Sequence, residues 1–186
     1  MKPILLLFIS FLITSNIYAQ ESTSDSFGFK FNQDEFINQS VIDMVGSNDS
    51  IYNDIRKNII GRFINPDYVL MVEEKPNLLR YQGISPTIHV WKSMGMAFNY
   101  KIKYVVDVEI KDKRIRVTFL NTELFIDSPN NSNSSDLASV RKNFWKRNGE
   151  LRNMYSGLPQ AIENFLNDEA SFIKYSKQTS NESSDW

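Results

Sequence analysis

Apolar residues fall on every second position through "FNYKIKYVVDVEIKDKRIRVTFLNTELFI", from Phe98 to Ile126. They are Phe98, Tyr100, Ile102, Tyr104, Val106, Val108 and Ile110, and after "KDKR" the phase resumes at Ile115, Val117 and Phe119. Successive strand side chains point to opposite faces. The period of two therefore predicts a long hairpin with one apolar face. Upstream, "EFINQSVIDMVG" reads as a first core strand. The period then changes: Tyr52, Ile55, Ile59 and Phe63 recur at helical spacing, with Ile51 and Ile60 beside them. Ser47 or Asp49 can cap the free backbone N–H groups of that helix, and "NPD" at Asn65–Asp67 ends it.

"YVLMVEE" from Tyr68 and "LLRYQGI" from Leu78 predict two shorter strands around "KPN". "SPTIHVWKSMGMA" reads as irregular, with Pro86 and Gly95 as breakers, and "DSPNNSNSSD" (Asp127 to Asp136) as a loop of turn formers. Leu137, Val140, Phe144, Leu151 and Met154 keep helical spacing, and Leu158, Ile162, Phe165, Leu166 and Phe172 restart it with Pro159 in a first turn. The order strand, helix, four strands, helix predicts an α+β domain over residues 36–175. Its antiparallel sheet has about five strands, with helices packed on one face. The hairpin's apolar side is expected to cover the two helical stripes.

The ends behave differently. "MKPILLLFISFLITSNIYAQ" has Lys2, an apolar run from Ile4 to Ile13 and a small residue at Ala19, the pattern of a signal peptide over residues 1–19. The run is short for a membrane span, so a periplasmic or extracellular protein is expected. Residues 20–35, with Phe27, Phe29 and Phe31 alternating, read as a flexible segment or an edge strand. "SKQTSNESSDW", residues 176–186, reads as a disordered tail.

Composition narrows the chemistry. Net charge is −1, with 21 basic and 22 acidic side chains among 186 residues, which does not point to nucleic acid. There is no cysteine, so disulfides, thiol catalysis and zinc–thiolate sites are excluded. His89 is the single histidine, too few for a common zinc site. No phosphate loop, nucleophile elbow or metalloprotease motif occurs. No metal site, cofactor or catalytic set is expected. Paired carboxylates at Glu73–Glu74, Asp107/Glu109 and Asp168–Glu169 leave open a hydrolase acting on envelope glycan or peptide. For Asp107 and Glu109, cross-strand pairing with Lys101, Lys103, Arg114 and Arg116 is the simpler reading. "RKNFWKRNGELR", with Arg141, Trp145 and Lys146, can be a helix contacting an anionic surface: lipid headgroups, lipopolysaccharide phosphates or acidic glycan. Tyr81 and Trp91, large and near irregular backbone, are further binding candidates on the sheet face left free of helices.

The leader, "VIDMVGSNDSIYNDIRKNIIGRFI" and the strand meander closing on the long hairpin together resemble a secreted bacterial family of unknown function described as having a TBP-like fold. The resemblance covers about Phe36 to Ile126 plus one helix of the last third. Where that family's helix often carries a tryptophan, this chain has Asn58 to Ile60. The resemblance implies a curved antiparallel sheet with helices on one side, and brings no activity or site residues. The expectation is an exported, non-enzymatic binding module whose partner is an envelope protein or small ligand, with peripheral membrane contact as an alternative.

Overall fold

The computed structural model describes residues 27–128 and 131–175. The leader expected over 1–19, the first part of the 20–35 segment and the tail expected over 176–186 lie outside the described residues. Strands β1 (Lys30–Phe31) and β2 (Phe36–Ile37) form a small antiparallel pair. Then follow β3 (Gln39–Asp43), helix α1 (Asn48–Arg62), the single turn α2 (Pro66–Val69), β4 (Leu70–Glu74), β5 (Leu78–Ile84) and β6 (His89–Ser93). The long strands β7 (Met96–Lys111) and β8 (Arg114–Ser128) lead to β9 (Asn131–Asp136), the short helix α3 (Leu137–Val140) and the closing helix α4 (Leu158–Tyr175).

The predicted hairpin is the spine of a seven-stranded sheet ordered β3-β8-β7-β5-β4, with β6 added to β7 and β9 to β8. Each hairpin strand is long enough to take two neighbours in succession along its outer edge: β5 and β6 along β7, β3 and β9 along β8. Every pairing is antiparallel. Asp112 and Lys113 make the connection with φ of 52° and 60°. Positive φ at both central residues suits the right-handed twist of the flanking strands.

One face carries the core. Tyr100, Ile102, Tyr104, Val106, Val108 and Ile110 of β7 are buried, as are Ile115, Val117 and Phe119 of β8. The β8 alternation then slips. Val105 pairs with Asn121 but Val106 with Phe119, so Leu120 bulges out and the buried phase moves to Thr122 and Leu124. Helix α1 covers this face with Ile51, Tyr52, Ile55 and Ile59, capped by Ser47, which accepts from Ser50 N–H at 3.2 Å. Helix α4 covers it with Leu158, Ile162, Phe165, Leu166, Ala170 and Ile173. Each buried Ile, Leu or Phe among them contributes roughly 1.5–3 kcal/mol by leaving water. The hairpin's apolar side is thus sealed by helices of its own chain.

The opposite face is a lattice of ions. Arg80 grips Asp107 through both carboxylate oxygens, with Nη2–Oδ2 at 2.7 Å. Arg116 holds Glu109 in the same two-pronged way. Lys101 meets Asp127 at 2.9 Å, and Lys103 meets Glu123 at 3.8 Å.

Four expectations are corrected. The sheet has seven strands rather than about five. "HVWKS" is strand β6, because the free edge of β7 beyond β5 offers it a ladder, with Trp91 opposite Phe98. The polar stretch read as a loop contains β9, which pairs with residues 123–128. Backbone bonds alone make that ladder, so no apolar signal marks it. Most of 137–154 is not helical: after α3 come a 3₁₀ turn at Arg141–Phe144, a tight reversal and a second 3₁₀ turn at Asn153–Tyr155. Within the segment read as flexible or as an edge strand, Phe29 and Phe31 are buried, and Phe31 lies in β1.

Candidate functional site

Helix α4 is fixed to the sheet by a buried polar cluster. Glu169, only 2% exposed, accepts from the hydroxyl of Tyr81 at 2.8 Å and that of Tyr104 at 3.3 Å through Oε1. Its Oε2 accepts from Arg62 Nη1, at the end of α1, at 2.8 Å. The Arg62 guanidinium also lies over the Phe172 ring, 4.3 Å from its centroid. Burial first, and the Glu169 charge second, raise the ionisation of Tyr81 and Tyr104 well above the ordinary phenol range. Gly83 stands opposite Tyr104, whose hydroxyl occupies the place a Cβ would take. The cluster joins α1, α4 and two strands. Its carboxylate and both phenols are buried, so its role is structural.

The connection from α3 to α4 makes the surface of interest. Asp136 caps α3 through Ser139 N–H at 2.8 Å. Phe144 is buried between Phe31 (5.5 Å between centroids) and Tyr155 (4.3 Å, nearly parallel). The chain then reverses. Trp145 pairs with Leu151, Lys146 N–H donates to Glu150 O at 2.7 Å, and Arg152 N–H donates to Phe144 O at 2.9 Å. Gly149, at φ 85°, supplies the left-handed residue that this reversal needs. Lys146 Nζ meets Glu150 Oε2 at 2.8 Å. That bond first, and one from Glu150's own neighbour Asn148 second, hold the Glu150 carboxyl below its ordinary range.

Between this reversal and the first turns of α4 lies an open cleft of about 310 Å³. Phe31, Trp145, Leu151 and Pro159 give it apolar walls, and Asn32, Gln160, Glu163 and Gly157 give it polar and backbone edges. Glu163 Oε2 accepts from Phe31 N–H at 3.2 Å, while Oε1 has no hydrogen-bond partner among the described residues. Lys142, Arg147 and Arg152 are exposed and form no ion pair among the described residues. Between Arg141 and Arg152 the chain carries five basic side chains and one acidic. This is a strongly cationic loop in a chain of net charge −1.

The sequence candidates divide. Trp145 lines the cleft, and Lys146 sits in the reversal beside it. Arg141 is a brace: its Nη1 donates to the carbonyls of Asn32 and Gln33, at 2.8 and 2.6 Å, and pins the β1–β2 turn. Tyr81 is not a surface contact; it is 0% exposed and bonded to Glu169. Trp91 is half-buried against Phe98, 5.0 Å between centroids, on the helix-covered side of the sheet. Neither residue lies on the free sheet face where a partner was expected. The basic segment also lacks the helix that an interfacial contact was expected to use. Asp107 and Glu109 are each held by a separate arginine, Arg80 and Arg116. Among the described residues, no cluster of three or more His, Asp or Glu side chains is placed to hold a metal ion. Phe31, Asn32, Gln160 and Glu163 escaped sequence reasoning. They come from segments more than 100 residues apart, and nothing in local periodicity links them.

No protein-family model matches the chain, and no curated protein matches it. A solved structure does: the crystal structure of a DUF4468 family protein from Bacteroides ovatus ATCC 8483, with a TM-score of 0.57 at 11% identity over 73% of this chain and 81% of that one. The resemblance of the sequence to a bacterial family of unknown function is thus met at the level of the fold, which this chain shares with the DUF4468 family protein.

Proposed function

We infer that this protein is an exported, non-enzymatic binding module whose ligand face is the Trp145 cleft with the cationic reversal beside it. One contrast supports the reading. Asp107, Glu109 and Glu169, the carboxylates a hydrolase would need, are held by arginine or tyrosine partners. Glu163 lines a solvent-open cleft with one carboxylate oxygen unbonded among the described residues, and Lys142, Arg147 and Arg152, in the segment that supplies the cleft's Trp145 and Leu151, are exposed and form no ion pair among the described residues. Groups committed to internal bonds serve stability, whereas uncommitted polar groups around an aromatic wall serve recognition. Export rests on the leader pattern of residues 1–19, and it places the module in the periplasm or outside the cell. The curved, TBP-like form of the sheet is part of the same reading, drawn from the sequence resemblance, and carries no nucleic-acid role.

The test pairs activity with binding. Purified protein is incubated with glycan, peptide and ester substrates, and its amide resonances are followed against anionic and neutral ligands. The expected outcome is no turnover, with shifts confined to residues 141–163 and 31–33. Turnover that disappears on alanine substitution of a single polar residue would falsify the reading.

A further inference from the structure

Resting on the ligand face proposed above, the geometry points to an acidic saccharide as its occupant: a sugar chain carrying carboxylate, sulfate or phosphate groups. Three observations converge on that class. The first is charge. Lys142, Arg147 and Arg152 are exposed and unpaired among the described residues, while Lys146 has its own acid in Glu150. Such a concentration draws an anion and loses strength with salt.

The second is the cleft itself. It is shallow and open, and the Trp145 ring forms part of its wall. A flat aromatic wall suits the apolar face of a pyranose. Asn32 Oδ1 is committed to Asp34 and Glu35 N–H and Gln160 Nε2 to Asn164, so Asn32 Nδ2 and Gln160 Oε1, unbonded among the described residues, are the amide atoms left for its hydroxyls. The Glu163 carboxylate has one oxygen free to accept. That carboxylate repels an occupant that presents only anionic groups to it and favours one that also brings donors. A sugar with both hydroxyls and acidic groups satisfies the two signs together: hydroxyls toward Glu163 and anions toward the cationic loop.

The third observation separates a polymer from a bilayer. The large apolar side chains that stand exposed on this protein, such as Val45, Ile64, Tyr68 and Met94, all lie elsewhere, and none falls between residues 137 and 160. The basic segment is a 3₁₀ turn and a tight reversal, with no amphipathic helix to bury in a headgroup layer. It offers charge and a cleft, and nothing to insert.

The experiment is isothermal titration of the purified protein with three probes: oligogalacturonate, an uncharged oligosaccharide of equal length, and anionic phosphatidylglycerol vesicles. The expected result is binding of oligogalacturonate that weakens as salt rises, with the neutral sugar and the vesicles weak or silent. Trp145→Ala should weaken oligogalacturonate binding about tenfold or more, the scale of a lost aromatic anchor. Trp145 packs beside Phe31 and Phe144, so the exposed variants Arg147→Gln and Arg152→Gln serve as folding-neutral controls. They should weaken binding and flatten its salt dependence. If oligogalacturonate is silent, or Arg147→Gln and Arg152→Gln leave its affinity unchanged, the saccharide assignment is overturned. Binding of vesicles alone also overturns it, yet leaves the ligand face standing when the resonance shifts still map to residues 141–163. Shifts elsewhere, or turnover, remove that face as well.

Discussion

Glu169 lets the architecture be tested through a single side chain. Replacing it with alanine leaves the Tyr81 and Tyr104 hydroxyls buried without their acceptor and the Arg62 guanidinium without its carboxylate. Each buried, unsatisfied hydroxyl costs about 1–3 kcal/mol. Arg62 is 35% exposed and can turn toward water, so its share falls below the roughly 3–5 kcal/mol of a fully buried broken pair. Together these give an expected loss of about 3–5 kcal/mol for Glu169→Ala. Glu169→Gln keeps an acceptor for the hydroxyls and should lose about 1–3 kcal/mol. Urea unfolding followed by circular dichroism reads the difference. With a slope of about 2 kcal/mol per molar, the midpoint should fall by about 1.5–2.5 M for the alanine variant. Adding Tyr81→Phe removes one stranded hydroxyl, so the double variant should be more stable than the sum of the single losses predicts. Strict additivity, or an alanine variant within about 1 kcal/mol of the parent, would show that the cluster does not hold α4 to the sheet. The positioning of the cleft's Pro159, Gln160 and Glu163 would then need another cause.

Three further predictions follow from the same contacts. The folded ionisations of Tyr81 and Tyr104 lie above the unfolded phenol value, so their stabilisation is complete below about pH 10 and is lost as pH rises beyond it. Unfolding titrations should show about 1.4 kcal/mol lost per pH unit for each tyrosine in that range, and Tyr104→Phe should shallow the slope by one such share; an unchanged slope refutes the assignment. Gly83→Ala places a Cβ 2.7 Å from the Tyr104 hydroxyl and 2.8 Å from its ring, so thermal melting should report a loss of about 1–3 kcal/mol from overpacking, and a neutral result would mean that the ring moves freely. Arg141→Ala removes two backbone-directed bonds and should cost about 1–2 kcal/mol, whereas Lys142→Ala on the same turn should stay within about 0.5 kcal/mol; equal costs would deny Arg141 its bracing role.

What could be read from the chain before folding follows the range of the forces involved. The period of two in residues 98–119 and the helical spacing of Tyr52, Ile55 and Ile59 report which side of a local element meets water. Side chains alternate by backbone geometry alone, so the hairpin, α1 and the core were legible. The same logic failed where no burial contrast exists. The residues of β9 are all polar, and the strand forms because an unpaired β8 edge lies beside it. The spacing of Leu137 to Met154 imitated a helix, yet Phe144 and Trp145 are drawn in by Phe31 and Tyr155, partners that the helical pattern did not contain. Tyr81, a large residue next to irregular backbone in the sequence, became a core hydroxyl because Glu169 lies above it. The cleft was the least visible feature of all. Its walls come from β1, the reversal and α4, and only the packing of those distant segments brings Phe31, Trp145 and Glu163 to one place. Local periodicity determined the elements. Long-range packing decided which of their polar groups were consumed inside the protein and which were left facing solvent.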